Sequence, residues 1–130
     1  MSFGILVDTN VIIDVLKKGP ALLFELQKET NWLGVSTVSI CELYAMPGMS
    51  DSEEKDLKAT IECFKVISFD HAISEKAGLL ARTRPNRRKR ADLMIAATAL
   101  NLNYDLMTFN TKDFSGIPNL KILEKENLGL

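Results

Sequence analysis

The sequence predicts an α/β protein in which a parallel sheet is covered by helices on both faces. Residues 4–7 form a short aliphatic run, which is typical of a central strand buried on both faces. Short apolar segments of this kind alternate with amphipathic, helix-forming segments along the whole chain. Such alternation indicates strands that run parallel to one another and are joined by helices.

Each predicted element follows from its own local pattern. The first strand stops at Asp8 and passes directly into a helix, for which Thr9 and Asn10 are typical N-cap residues. Later helices have apolar residues spaced by three and four, and the later strands are short and partly β-branched. In chain order we predict a strand at 4–7, a helix at 11–16, a helix after Pro20, a strand at 32–36, a helix at 37–44, a helix at 50–64, a strand or extended link at 65–69, a helix capped by Asp70, a helix at 91–100, a strand at 104–108, a turn or single helical turn at 110–114 and a strand at 120–123.

Length and composition predict one domain of an ordinary water-soluble protein. The chain has 130 residues, of which 46% are hydrophobic and 25% charged. A formal net charge of -1 argues against non-specific gripping of nucleic acid through total charge. Cys41 and Cys63 lack the spacing of a zinc site and are interpreted as reduced core residues. With no membrane-length apolar run and no signal peptide, we expect a cytoplasmic location.

Four acidic residues stand at corresponding places in the predicted topology. Asp8, Glu42 and Asp113 each follow a strand by a few residues, and Asp92 opens a helix. Each also has a purely local interpretation. Asp8 can cap a helix, and Glu42 can form a capping box with Ser39. Asp92 can interact favourably with the dipole of the helix that it opens, and Asp113 can be a turn residue.

Their shared topology nevertheless favours a common site. The carboxyl ends of parallel strands meet at one edge of the sheet, where ligands bind in open α/β folds. Carboxylates gathered there repel one another and raise their own pKa values unless a cation is bound. Oxygen ligands without nearby His or Cys suit Mg²⁺ or Mn²⁺, and such a site can activate water and hold the oxygens of a phosphodiester.

Four motifs resemble those of the PIN-domain ribonucleases, and within them the VapC-type toxins of toxin–antitoxin pairs. Val-Asp-Thr-Asn at 7–10 is similar to the opening motif of the family, and Ser-Ile-Cys-Glu-Leu at 39–43 to the second. Residues 90–97 resemble the third motif, and residues 108–114 the fourth. The motifs occur in the family's order at about its usual spacing, and the resemblance covers the whole chain.

The resemblance implies a single domain over residues 1–130 with a three-layer α/β/α fold, and RNA cleavage by metal-activated water with Mg²⁺ or Mn²⁺. The acidic pocket and its metal ligands would be Asp8, Glu42, Asp92 and Asp113. The residues that would orient those ligands are Thr9, Asn10, Ser39 and Asn110. One departure concerns residues 86–90, where related toxins often carry a less basic turn that contains glycine.

A basic segment precedes the third motif. Residues 82–90 hold six of the sixteen Lys and Arg residues. Such a run is commonly a solvated loop, but beside an acidic site it can hold the phosphates flanking the scissile bond. We expect phosphate contacts from Arg87, Arg88 and Arg90.

The resemblance also implies partners. These are an RNA substrate, a small cognate antitoxin protein and a second copy of the chain in a homodimer, with no membrane. Apolar side chains that could partly line an antitoxin groove are Trp32, Leu33, Leu43, Tyr44, Met46 and Met49.

Two other functional hypotheses remain beside the toxin. One is a non-toxin PIN nuclease acting in RNA maturation or on DNA. The other is a non-catalytic RNA- or protein-binding module of the same fold. Clustered carboxylates that serve no purpose cost stability, which argues against the module.

Overall fold

The computed structural model describes residues 3–84 and 89–128. Its strands are β1 (Ile5–Val7), β2 (Leu33–Ser36), β3 (Lys65–Ile67), β4 (Asp105–Met107) and β5 (Ile122–Leu123). Its helices are α1 (Thr9–Lys18), α2 (Ala21–Glu29), α3 (Thr37–Tyr44), α4 (Asp51–Ile61), α5 (His71–Thr83), α6 (Arg90–Leu102) and α7 (Thr111–Phe114), followed by a 3₁₀ turn (Lys125–Leu128).

The five strands form one sheet in the order β3-β2-β1-β4-β5, and every neighbouring pair is parallel. The predicted α/β class with a mainly parallel sheet is therefore confirmed. β1 lies at the centre, with Leu6 opposite Gly34 of β2 on one side and Leu106 of β4 on the other. All three residues of β1 are buried, as its aliphatic run predicts.

Alternate side chains of β1 enter two separate cores. Ile5 and Val7 pack on one face of the sheet with apolar residues of α1, α2 and α4. Leu6 packs on the other face with residues of α5, α6 and α7. This period of two follows from strand geometry and makes the fold a three-layer α/β/α sandwich. Each aliphatic side chain buried in this way contributes about 1.5–3 kcal/mol of transfer free energy.

Two strands pass into helices without an intervening loop. Asp8 is the N-cap of α1, and its carboxylate accepts a hydrogen bond from the Thr9 N–H. Ser36 is the N-cap of α3, and its hydroxyl accepts from the Val38 N–H. The carboxyl ends of β1 and β2 thus adjoin the amino ends of α1 and α3, which places polar backbone and side-chain groups at one edge of the sheet.

The predicted capping box at Ser39 and Glu42 is wrong. Because α3 begins at Thr37, the cap is Ser36, and Ser39 is a buried residue within the helix. A capping box does occur at α4, where Ser50 and Glu53 exchange both hydrogen bonds.

The predicted burial of the two cysteines is also wrong. Cys41 and Cys63 are free and exposed. Ser39 and Leu43 occupy the inward face of α3, so Cys41, two residues from each, points outward. Cys63 lies just beyond the end of α4. Of the helices within residues 3–84 and 89–128, not one has the length and apolar character needed to cross a membrane.

Candidate active site

Asp8 is a buried carboxylate whose two oxygens have different partners. It is 5% exposed at the end of β1. Oδ1 accepts from the Thr9 N–H at 2.8 Å, and Oδ2 accepts from the Thr108 hydroxyl at 2.8 Å. Burial raises the pKa of Asp8, the two hydrogen bonds oppose that shift, and the charges of Glu42 and Asp113 add to it. Asp8 therefore caps α1 and also lies within the field of two other acids.

The Thr9 hydroxyl joins α1 to α3. Its oxygen lies 2.9 Å from Ser39 Oγ and 2.7 Å from Glu42 Oε1. A hydroxyl has one proton to donate and an ionised carboxylate only accepts, so Thr9 donates to Glu42 and Ser39 donates to Thr9. This chain of bonds holds the exposed Glu42 carboxylate toward the carboxyl edge of the sheet.

Asp92 carries the strongest electrostatic sign of a shared site. It lies in the first turn of α6 and is half-buried. Burial raises the pKa of Asp92 to about 6, with further contributions from the charges of Asp8, Asp113 and Glu42, while Lys89 lowers it. All four predicted acids therefore interact electrostatically, as their topology indicates.

The turn between β4 and α7 precedes Asp113 and contacts α1. Asp113 is exposed in α7, and its N–H donates to the Asn110 carbonyl. The Asn110 N–H in turn donates to the Thr108 hydroxyl at 3.0 Å. The side-chain Oδ1 of Asn10 accepts from the Phe109 N–H at 3.4 Å, while Asn10 Nδ2 is buried without a hydrogen-bond partner among the described residues.

Thr108 is a site residue that sequence reasoning missed. It is 1% exposed, and its hydroxyl donates to Asp8 across the boundary between β4 and β1. The sequence signal was present, because Thr108 ends the predicted strand at 104–108 and is the first residue of the fourth motif. Only the pairing of β1 with β4 reveals that its partner is Asp8.

The donor chemistry of this edge fits a hard divalent cation. Every side chain named at the site offers oxygen or an amide. Burial is the main cause of the raised pKa values of Asp8 and Asp92, and the charges of neighbouring acids, which a cation would offset, add to it. Within residues 3–84 and 89–128, no three acidic, His or Cys side chains stand close enough together to enclose a metal ion. Mg²⁺ commonly uses one or two carboxylates and keeps several waters, so such an enclosure is not required.

The predicted RNA contacts fall partly outside the described residues. Arg87 and Arg88 belong to that part of the chain. Arg90 is exposed at the start of α6, two positions before Asp92. Lys89 is also exposed, and its charge acts on Asp92. At least this end of the basic segment therefore adjoins the acidic site.

The proposed groove residues do not form one surface. Leu33 and Leu43 are core residues, because β2 is buried and Leu43 lies on the inner face of α3. Trp32 is exposed at the amino end of β2, the edge opposite the acids, and Tyr44 is exposed at the end of α3. Met46 and Met49 do line a groove of about 290 Å³, with the α1 residues Ile13 and Leu16.

The fold and the site together define an α/β domain with an acidic pocket at the carboxyl edge of a parallel sheet. Comparison with known proteins identifies the family within this class. Residues 5–120 match the family model described as "PIN domain". The chain therefore belongs to the PIN-domain family, as its four motifs predict.

Named relatives indicate which members of the PIN-domain family this chain resembles. The chain is similar to "Ribonuclease VapC1" of Methanocaldococcus jannaschii, with 35% identity over 93% of this chain and 88% of that protein. It is also similar to "Ribonuclease VapC" of Rickettsia bellii, with 29% identity over 92% of this chain and 95% of that protein. Among solved structures, VapBC-1 from nontypeable Haemophilus influenzae matches with a TM-score of 0.77 and 26% identity, covering 92% of this chain and 96% of that chain.

Proposed function

We propose that this protein is a divalent-metal-dependent endoribonuclease and the toxin of a toxin–antitoxin pair. One observation carries the proposal: four acids from separate elements, Asp8, Glu42, Asp92 and Asp113, lie near enough to one another for the charges of the other three to act on Asp92. Relatives named as VapC ribonucleases support RNA as the substrate. We further infer that residues 1–130 form a single domain, which is supported by the one sheet that contains β1 to β5. We also infer that the protein acts in the cytoplasm.

The residues that would hold the cation, directly or through the waters that it keeps, are Asp8, Glu42, Asp92 and Asp113. A bound Mg²⁺ or Mn²⁺ supplies Lewis acidity and offsets negative charge at the phosphodiester. The chain itself orients the ligands. Backbone and hydroxyl donors hold both oxygens of Asp8, and Thr9 directs Glu42. Groups held in this way are arranged before substrate arrives, which favours catalysis.

The test of this proposal is incubation of the purified, partner-free protein with total bacterial RNA. We expect discrete fragments with Mn²⁺ or Mg²⁺ and intact RNA when EDTA is added, because removing the cation removes its Lewis acidity and leaves the carboxylates to repel the RNA phosphates. Cleavage that persists in EDTA would contradict metal dependence. The same protein is also assayed with single- and double-stranded DNA. Cleaved DNA and intact RNA from protein that binds Mn²⁺ would indicate a DNA-processing nuclease and not a ribonuclease. Intact nucleic acid without Mn²⁺ binding would favour the non-catalytic module.

The basic segment is the proposed phosphate clamp. Replacing both Arg87 and Arg88 with alanine is expected to weaken RNA binding and to reduce the slope of log affinity against log salt by about 1.4, since each lost single-strand phosphate contact contributes about 0.7. Filter binding across a salt series, with an inactive protein, measures this slope. The matched control replaces Lys55 and Lys58, which are exposed on α4. An equal slope in the two double variants would contradict the clamp.

We propose two protein partners. The solved neighbours include a "Toxin-antitoxin complex from Klebsiella pneumoniae", which matches with a TM-score of 0.75 and 26% identity. A small antitoxin that covers the acidic edge is the corresponding partner here, and a homodimer is the expected assembly. A reading frame for a small protein next to the gene would distinguish a toxin from a PIN nuclease of RNA maturation.

A further inference from the structure

The Thr108 hydroxyl makes two hydrogen bonds at the site. Its hydroxyl accepts from the Asn110 N–H at 3.0 Å and lies 2.8 Å from Asp8 Oδ2. Because the Asn110 N–H can only donate, it occupies an acceptor site of the hydroxyl and leaves the single proton for Asp8. The Thr108 side chain is 1% exposed, so water does not compete for these contacts.

These contacts join two segments that both carry acids. Asp8 ends β1, while Asp113 lies in α7, directly after the turn formed by Thr108, Phe109 and Asn110. The Phe109 N–H also donates to Asn10, so the turn is bonded to the start of α1 at two points. The position of Asp113 relative to Asp8 therefore depends on this turn.

We propose that Thr108 is a positioning residue of the acidic site. Its hydroxyl fixes the orientation of Asp8 and anchors the turn that carries Asp113, and a divalent cation consequently binds more tightly. The inference rests on the proposed function, because it assigns Thr108 a part in the same metal site. Groups that orient metal ligands typically change metal affinity by about 10–100-fold when they are lost.

A merely structural role would give a different pattern of variants. Thr108→Val keeps the volume of the side chain but removes the donor, whereas Thr108→Ser keeps the donor and removes a methyl group. Thr98 offers a matched control, because it is also buried, and its hydroxyl donates to the Met94 carbonyl within α6. Thr98→Val thus removes a buried threonine hydroxyl away from the acids.

The experiment measures Mn²⁺ affinity of the purified full chain at pH 7.5 by electron paramagnetic resonance of free Mn²⁺. We expect affinity to fall about tenfold or more in Thr108→Val and to stay within about threefold of wild type in Thr108→Ser and Thr98→Val. Circular dichroism confirms that each variant is folded. If Thr108→Val does not fold, Thr108→Ala takes its place in the same comparison.

Two outcomes would overturn the inference in distinguishable ways. Wild-type affinity in Thr108→Val, or an equal loss in Thr98→Val, would leave the metal site in place and remove Thr108 from it. A wild-type protein that neither binds Mn²⁺ nor cleaves RNA would contradict the proposed function as well.

Discussion

Replacing Asp92 with asparagine is expected to lower the rate of RNA cleavage by at least about 100-fold while leaving the protein folded. Asparagine keeps the size of the side chain but removes the charge on which a hard cation depends. Asp92 interacts with the charges of Asp8, Glu42 and Asp113, so it belongs to the same acidic site as these three residues. The measurement is the initial rate of cleavage of a defined RNA with saturating Mn²⁺.

The matched control for this variant is Asp56→Asn. Asp56 is exposed on α4 and belongs to none of the hydrogen bonds described at the site. We expect its cleavage rate to equal that of wild type. If Asp92→Asn cleaves RNA at a rate comparable to that of wild type at saturating metal, Asp92 lies outside the catalytic site. If Asp92→Asn and Asp56→Asn lose the same fraction of the cleavage rate, the cause is a general effect of charge.

Most of the fold could be predicted because its signals are local. The aliphatic residues of β1 require burial on both faces, and helix-forming segments between short strands require parallel connections. The same reasoning predicts that Asp8, Glu42 and Asp113 lie near one edge of the sheet. Their mutual effects on Asp92 agree with that placement.

The parts that could not be predicted depend on contacts between distant residues. Thr108 and Asp8 are 100 positions apart in the sequence, and their hydrogen bond requires β4 to pair with β1. The choice of Ser36 over Ser39 as the cap of α3 depended on where β2 ends, because both residues are plausible caps locally. Cys41 and Cys63 were misplaced because residue type alone does not show which face of a helix is covered.

Stability of the metal-free protein is expected to fall as the pH rises from about 4 to above 6, and Asp92→Asn should remove much of this loss. In the unfolded chain Asp92 ionises near its ordinary pKa of 3.8, but in the folded protein it keeps its proton up to a pKa of about 6. The native state therefore binds more protons within this window, and raising the pH favours unfolding. Burial raises the pKa of Asp8 as well, which acts in the same direction.

The size of this effect can be bounded. A shift from 3.8 to about 6 corresponds to at most about 3 kcal/mol, since each pKa unit is about 1.4 kcal/mol. Asp92 is only half-buried, and solvent screening reduces this to roughly 1–2 kcal/mol. For a domain of this size the corresponding change in Tm is roughly 3–8 °C. Asparagine also loses the favourable interaction of a carboxylate with the α6 dipole. This loss is worth about 0.3–1 kcal/mol and reduces the gain in stability of Asp92→Asn by that amount.

Thermal unfolding of wild type, Asp92→Asn and Asp56→Asn in EDTA tests this expectation. The Tm of Asp92→Asn minus that of wild type should increase from pH 4.5 to pH 7.5, and it should increase by more than the same difference for the exposed Asp56→Asn control. Adding Mn²⁺ at pH 7.5 should then raise the Tm of wild type more than that of Asp92→Asn, because a cation that binds only the folded state stabilises it by mass action. A difference between wild type and Asp92→Asn that does not change with pH would mean that neither burial nor the charges of the other three acids raise the pKa of Asp92 in the folded protein. In that case the electrostatic basis of the proposed metal site would be lost.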